Sequence, residues 1–271
     1  MLFSIFLTCV LLGCIVGFCA GLLGIGGGLI IVPALVYLLP LAGVDANVVM
    51  PMALATSLAT IVITSFSAAL AHHRNKNIPW SIAKKLMIAI ACGSLLGAYI
   101  ADSLSVNALK NTFAVAVFTL AIYMFFSVKN TKKNSKEIAS NNLPSHYLLK
   151  TISFFTGILA SLMGISGGVM LIPILSYFTM PLRQAIGVAT VCGLTVAVFG
   201  VSGYIMAGWN NVNLPDYSLG YVYLPALLGM IITSSVFAPL GVKWATKLPV
   251  RTLKKAFVLF LMIVAIKMIF S

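Results

Sequence analysis

Gly21-Leu22-Leu23-Gly24-Ile25-Gly26-Gly27-Gly28-Leu29-Ile30-Ile31-Val32-Pro33 sets a cluster of glycines inside an otherwise unbroken apolar run. An echo follows at Leu162-Met163-Gly164-Ile165-Ser166-Gly167-Gly168-Val169-Met170-Leu171-Ile172-Pro173. Laid over each other from Leu22 on Leu162, the copies run ungapped to Pro33 and Pro173 at a constant offset of 140 positions. Glycine destabilises a helix interior by about 0.5–1 kcal/mol relative to alanine, so three in a row, Gly26 to Gly28, predict a helix break. At membrane depth a break is tolerated only where the freed backbone groups face protein or a wet cavity. Paired, glycine-interrupted segments in matching places of two halves point to a transport site.

The surroundings of the two breaks are those of a membrane protein. Of 271 residues, 61% are hydrophobic and only 8% charged, with a mean hydropathy of +1.10, whereas globular chains are about 25% charged. Apolar runs are read at 2–23, 27–39, 46–71, 81–101 and 107–128, and again at 148–164, 167–180, 185–207, 220–243 and 250–270. Several approach the length that crosses a bilayer. The first run lacks a basic leading segment and outlasts a leader's apolar core, so it reads as a span and not a cleaved leader. The expected fold is therefore an all-α polytopic membrane protein.

Between the two sets lies one polar stretch, 129–147, with Lys129, Lys132, Lys133, Lys136, Asn141, Asn142 and Pro144, the composition of a solvated linker. The repeat extends beyond the breaks. Ala55-Thr56 matches Ala189-Thr190, and Leu109-Lys110 with Phe113 matches Leu253-Lys254 with Phe257. The expected organisation is a first repeat at 1–128, with a broken hairpin at 1–40 and three spans. The linker 129–147 follows, then a second repeat at 148–271, with a broken hairpin at 148–180 and three spans.

Charge sets the expected orientation. With the loop carrying Arg74, Lys76, Lys84 and Lys85 in the cytoplasm, so are the linker 129–147 and the loop with Lys243, Lys247, Arg251, Lys254 and Lys255. With Lys150 and Arg183 also inside, 15 of the 17 basic residues are cytoplasmic and three of the four acids (Asp45, Asp102, Asp216) lie outside, in line with the positive-inside bias. Both termini then lie outside. The halves open from opposite sides, as inverted repeats related by an axis in the membrane plane do. The net charge of +13 is thus an orientation signal and not a nucleic-acid surface.

After each glycine cluster a new helix start is expected, with free backbone N–H groups and roughly half a positive charge from the helix dipole. Two such starts brought together near the midplane would hold an anion with no buried Lys or Arg. Gly24, Gly26, Gly27 and Gly28 of the first copy and Gly164, Ser166, Gly167 and Gly168 of the second are the candidate binding residues. Ser166, in the place of Gly26, can cap the second helix start or donate its hydroxyl to a ligand. Against this stands the plainer reading that the glycines only let helices pack closely. Thr56, Ser57 and Thr60 share one helix face, with Thr190, Cys192 and Thr195 as counterparts. Thr56, Ser57 and Thr190 join the candidate site, although such hydroxyls often bond their own i−4 carbonyls or join helices.

No Asp or Glu lies within an apolar run, so the usual proton relays are missing and no coupling ion, proton included, is identified. His72 and His73 read as loop residues at a span's cytoplasmic end, and Trp209 with Asn210, Asn211 and Asn213 as an outer interfacial anchor. Cys9, Cys14, Cys19, Cys92 and Cys192 form no CxxC pair, so packing thiols are expected in place of metal or disulfide roles. No cofactor is expected, and no catalytic arrangement of Ser/His/Asp or HExxH type supports an enzyme.

Gly21–Pro33, its second copy Met163–Pro173, the Ala55-Thr56-Ser57 turn and the two-half plan resemble the sulfite exporter TauE/SafE family, also called the toluene sulfonate uptake permeases. The resemblance covers essentially the whole chain. It implies a multi-pass permease of the cell (inner) membrane for a small sulfur-containing anion such as sulfite, sulfoacetate or another organosulfonate. The second copy departs from the first at Ser166 for Gly26 and at Val191 for Ser57, which would suit a ligand with one anionic and one apolar end. A passive anion channel and a non-transporting membrane assembly protein are the alternatives.

Overall fold

A computed structural model describes residues 2–23, 26–130, 146–178 and 180–245. Gly24, most of the linker 129–147 and the expected last span 250–270 lie outside the described residues. Among the described residues there are nine helices: α1 (Leu2–Leu23), α2 (Gly28–Leu41), α3 (Ala46–Arg74), α4 (Trp80–Ser103), α5 (Val106–Asn130), α6 (His146–Leu162), α7 (Gly168–Tyr177), α8 (Leu182–Gly208) and α9 (Leu224–Ala245). α3, α4 and residues Arg183–Gly208 of α8 are long and apolar enough to cross a membrane, by length and composition.

The helices begin and end where the sequence changes character. α1 stops short of the first glycine cluster, and α4 starts beyond Pro79, which stands at its N-cap. α8 likewise follows Pro181. Proline suits a helix start because the N–H it lacks has no intrahelical partner there. α2 and α7 are short, 14 and 10 residues, or about 21 and 15 Å at 1.5 Å per residue, well under a bilayer's hydrocarbon thickness.

One expected segment begins differently. The run at 220–243 opens with a two-stranded antiparallel hairpin, β1 (Ser218–Leu219) and β2 (Val222–Tyr223), before α9 starts at Leu224. Tyr217 and Gly220 both take positive φ, 64° and 52°, so the chain turns back twice within a few residues. Hydropathy alone cannot separate this apolar, aromatic turn from the helix it feeds.

Helix packing is reciprocal between the two parts of the chain. α1 lies along α9 and α6 along α4, while α3 and α8 face each other at the centre and carry α2 and α7 respectively. Small residues bring these backbones close. A Cβ on Gly17 of α1 would stand 2.5 Å from the Cα of Ser234 on α9, and one on Gly93 of α4 would overlap the carbonyl of Phe154 on α6. Close approach of this kind lets van der Waals packing hold membrane helices together where lipid is as apolar as leucine. Buried Leu54, Leu58, Ile61, Leu29, Ile31, Leu35, Leu171 and Val196 fill the centre.

Candidate functional site

The first break is a backbone feature that only glycine forms without strain. Gly26 and Gly27 take φ of 70° and 80° in the left-handed region, and Gly28 opens α2. Gly27 is the N-cap and makes no side-chain capping bond. Its carbonyl accepts from the N–H groups of Ile30 (2.9 Å) and Ile31 (3.1 Å). Pro33 stands five residues into α2 and Pro173 five residues into α7. Each withholds the N–H that the carbonyl four residues earlier, Leu29 or Val169, would take in a regular helix.

The second break is closed differently. α6 ends as the N–H groups of Gly164 and Ile165 donate to the carbonyls of Ser161 (3.1 Å) and Ala160 (3.0 Å), with Gly164 at φ 59°. Ser166 then caps α7, its Oγ accepting from the Gly168 N–H at 3.4 Å. The capping expected of Ser166 is thus present, in a side chain only 5% exposed. Its hydroxyl lies where α8 has no side chain, since a Cβ on Gly193 would overlap it.

The two breaks meet. A Cβ on Gly28 would stand 2.6 Å from the carbonyl oxygen of Gly164 and 2.9 Å from the Cδ1 of Ile61. A Cβ on Gly26 would be 3.0 Å from the Cβ of Ser166. The chain therefore crosses itself backbone against backbone, with α3 and α8 on the flanks. Gly167 and Gly168 complete the second side: a Cβ on Gly167 would stand 3.2 Å from the Cγ2 of Val196, and one on Gly168 3.4 Å from the Ala189 carbonyl oxygen.

The candidate hydroxyls have distinct fates. Ser57 donates to the Gly164 carbonyl at 2.7 Å and belongs to the crossing. Thr56, fully buried, accepts from the backbone N–H of Tyr223 at 3.0 Å and so reaches the hairpin before α9. Thr60 donates to its own i−4 carbonyl at Thr56. Thr190 and Thr195 do the same to Ile186 and Val191, the local bonding that hydroxyls adopt in membrane helices. Apart from tyrosines, every buried polar side chain among the described residues is a serine or threonine, and none is charged.

Three participants were not singled out by sequence: Gly193, Tyr223 and Ser161. Ser161 lies just before the second break, and its carbonyl accepts from the Tyr204 hydroxyl at 3.2 Å. Nothing local marks them, because each matters through a partner far away in the chain. At the end of the bundle where α4 and α8 finish, Tyr221 donates its hydroxyl to Asp102 Oδ1 (2.6 Å) and accepts from Asn211 Nδ2 (3.1 Å). His73 accepts from the Trp80 indole N–H at 3.2 Å and ties the end of α3 to the start of α4. Cys9 and Cys192 are buried packing thiols, and Cys92 is on the exposed surface.

The chain matches the family described as sulfite exporter TauE/SafE over residues 9–268. It is 41% identical to a probable membrane transporter protein of Haemophilus influenzae over 98% of this chain and 99% of the relative. A probable membrane transporter protein of Methanocaldococcus jannaschii is 31% identical over 90% of this chain and 88% of its own length. Another, YunE of Bacillus subtilis, is 25% identical over 76% and 80%. No solved structure matches the chain significantly.

Proposed function

The chain belongs to the sulfite exporter TauE/SafE family of membrane transporters, and from that premise we propose that it carries a small sulfur-containing anion, such as sulfite or an organosulfonate like sulfoacetate, across the cytoplasmic membrane. The observation that carries this reading is the junction of the two breaks. Two helix starts meet at a crossing whose flanking side chains are glycines, hydroxyls and aliphatics. An anion there is stabilised by first-turn N–H groups and the positive ends of two helix dipoles. Gly26, Gly27 and Gly28 present the amides of α2, and Gly167 those of α7, joined by the Gly168 N–H when the Ser166 hydroxyl turns from it to the anion. Gly24 belongs to the same site by its place in the repeat. Ser57 donates to the Gly164 carbonyl and so occupies that acceptor at the junction. Ser166 offers a hydroxyl on one side only, and Thr56 and Thr190 become ligands when their present partners move.

Inverted repeats divided at 129–147 supply the mechanism. Each half contributes one break, and rocking of one half against the other exposes the junction first to one side of the membrane and then to the other. The reciprocal packing of α1 on α9 and of α6 on α4 supports that division. A proteoliposome assay with radiolabelled sulfite and sulfoacetate tests the proposal. Saturable uptake accelerated by the same anion inside the vesicle is the carrier's signature. Uptake that stays linear to high concentration indicates a channel, and no uptake of any sulfur anion contradicts the reading.

A further inference from the structure

The hairpin Ser218–Tyr223 folds in over the end of α8, where a Cβ on Gly208 would stand 2.7 Å from the Tyr221 nitrogen, and its last residue reaches α3. Tyr223 donates its N–H to Thr56, ten residues past the start of α3 and so about 15 Å along its axis. Non-helical backbone that deep needs its polar groups paired, and Thr56 pairs this one. Thr56 is next to Ser57, which holds the Gly164 carbonyl at the junction of the breaks. The hairpin therefore stands between one end of the bundle and that junction.

At its mouth the hairpin packs backbone against backbone on Ile205 and Gly208 of α8, and its side-chain tie to α4 is the bond from Tyr221 to Asp102, with the Tyr221 ring edge-on to Tyr204 at 6.4 Å. Asp102 is exposed, so water competes for this bond and it is readily exchanged. The other end of the bundle is held differently. There the turn between α3 and α4 presses the Asn77 carbonyl on Gly187 of α8, yet Thr190 bonds its own helix and not the turn. Among the described residues the hydroxyl clasp exists at one end only.

We propose that Asp102 and Tyr221 form the latch of a gate: the hairpin closes the path from its end to the junction, and breaking the Asp102–Tyr221 bond withdraws it and frees the Thr56 hydroxyl to face the passage. This rests on the transport reading above. Opening admits water, which takes over the Tyr223 N–H, so the deep bond is exchanged and not simply lost. The structure is the state closed at the hairpin end.

The test uses the full chain in lipid nanodiscs with its five cysteines replaced and one cysteine introduced by Thr60→Cys, a helical turn beyond Thr56. Its labelling by a small water-soluble methanethiosulfonate reports access beneath the hairpin. Tyr221→Phe keeps the ring and removes the hydroxyl, and it is expected to raise the labelling rate about tenfold, the effect of one charge-assisted hydrogen bond. Asp102→Ala, at an exposed position, is expected to do the same, and the double variant to go no further. A reporter made by Ala121→Cys, buried on α5, should keep its rate in all of them. An unchanged rate at position 60, additive effects, or an equal rise at both reporters would overturn the proposal. No substrate is needed, so a wild-type protein that moves no sulfur anion would sink the transport reading without deciding the latch.

Discussion

The hydroxyl of Ser57, midway along α3, donates across 2.7 Å to the carbonyl of Gly164, the residue at which α6 ends. One hydrogen bond thus ties the first part of the chain to the break in the second, where a left-handed backbone leaves that carbonyl without a helical partner. It also gives a reason for the departure between the copies at Ser57 and Val191. Ser57→Ala should cost about 1–3 kcal/mol, the penalty of leaving a buried acceptor unsatisfied. Denaturant unfolding in detergent measures it, and a loss under about 0.5 kcal/mol would mean that the Gly164 carbonyl finds another donor.

At Gly164 itself two penalties coincide. An alanine there must hold φ near +59° with its Cβ 2.9 Å from the Leu54 Cα. Gly43 has φ +79° but nothing within 4 Å, so Gly43→Ala should cost only the left-handed strain of about 1–2 kcal/mol. Gly164→Ala should cost clearly more, read as a larger fall in melting temperature or in folded yield. Equal effects would contradict the crowding at the crossing.

The two threonines at matching repeat positions should behave unequally. Thr56→Val strips the Tyr223 N–H of its acceptor and should cost about 1–3 kcal/mol. Thr190→Val removes only a bond to its own helix, which Ser and Thr make at little or no net gain, and should be nearly neutral. Thermal unfolding of the pair decides it, and equal losses would mean that Thr190 has a partner outside its own helix.

Close packing of α4 on α6 gives a further expectation. Gly93→Leu should abolish folded, monodisperse protein, because even its Cβ overlaps the Phe154 carbonyl. Ile88→Ala, at a side chain 72% exposed on the same helix, should leave the elution profile unchanged in size-exclusion chromatography. A folded Gly93→Leu protein would show that α4 and α6 can separate.

The breaks were legible in the sequence because glycine in a long apolar run has few explanations, and the doubled motif removes most of them. The exact helix starts at Pro79 and Pro181 were not, because hydropathy alone placed the runs that follow them. The partners of the hydroxyls were not legible. Thr56, Ser57 and Thr60 share a face and look alike in sequence, yet they reach Tyr223, Gly164 and their own helix respectively. Those choices depend on what tertiary packing brings to each side. The hairpin at Ser218–Tyr223 was hidden because Tyr221, Val222 and Tyr223 are as apolar as the helix that follows. Ser166 was legible as a cap, since the residue type and the helix start after it sufficed.

The most direct test of the central claim, that a sulfur anion binds where the two broken helices meet, is a thermal-shift titration of the purified protein. The panel is sulfite, thiosulfate, sulfate, taurine, sulfoacetate and chloride, with wild type compared against Gly167→Leu and Gly168→Ala. Gly168 leaves ordinary contact room for a methyl group, 3.4 Å from the Ala189 carbonyl, so that variant should fold while screening the first amides of α7. A sulfur anion should raise the melting midpoint in a concentration-dependent way, since a ligand of the native state alone stabilises it. The rise should weaken in Gly168→Ala and vanish in Gly167→Leu. A sulfur anion that stabilises all three proteins equally would place the binding site away from the two helix starts.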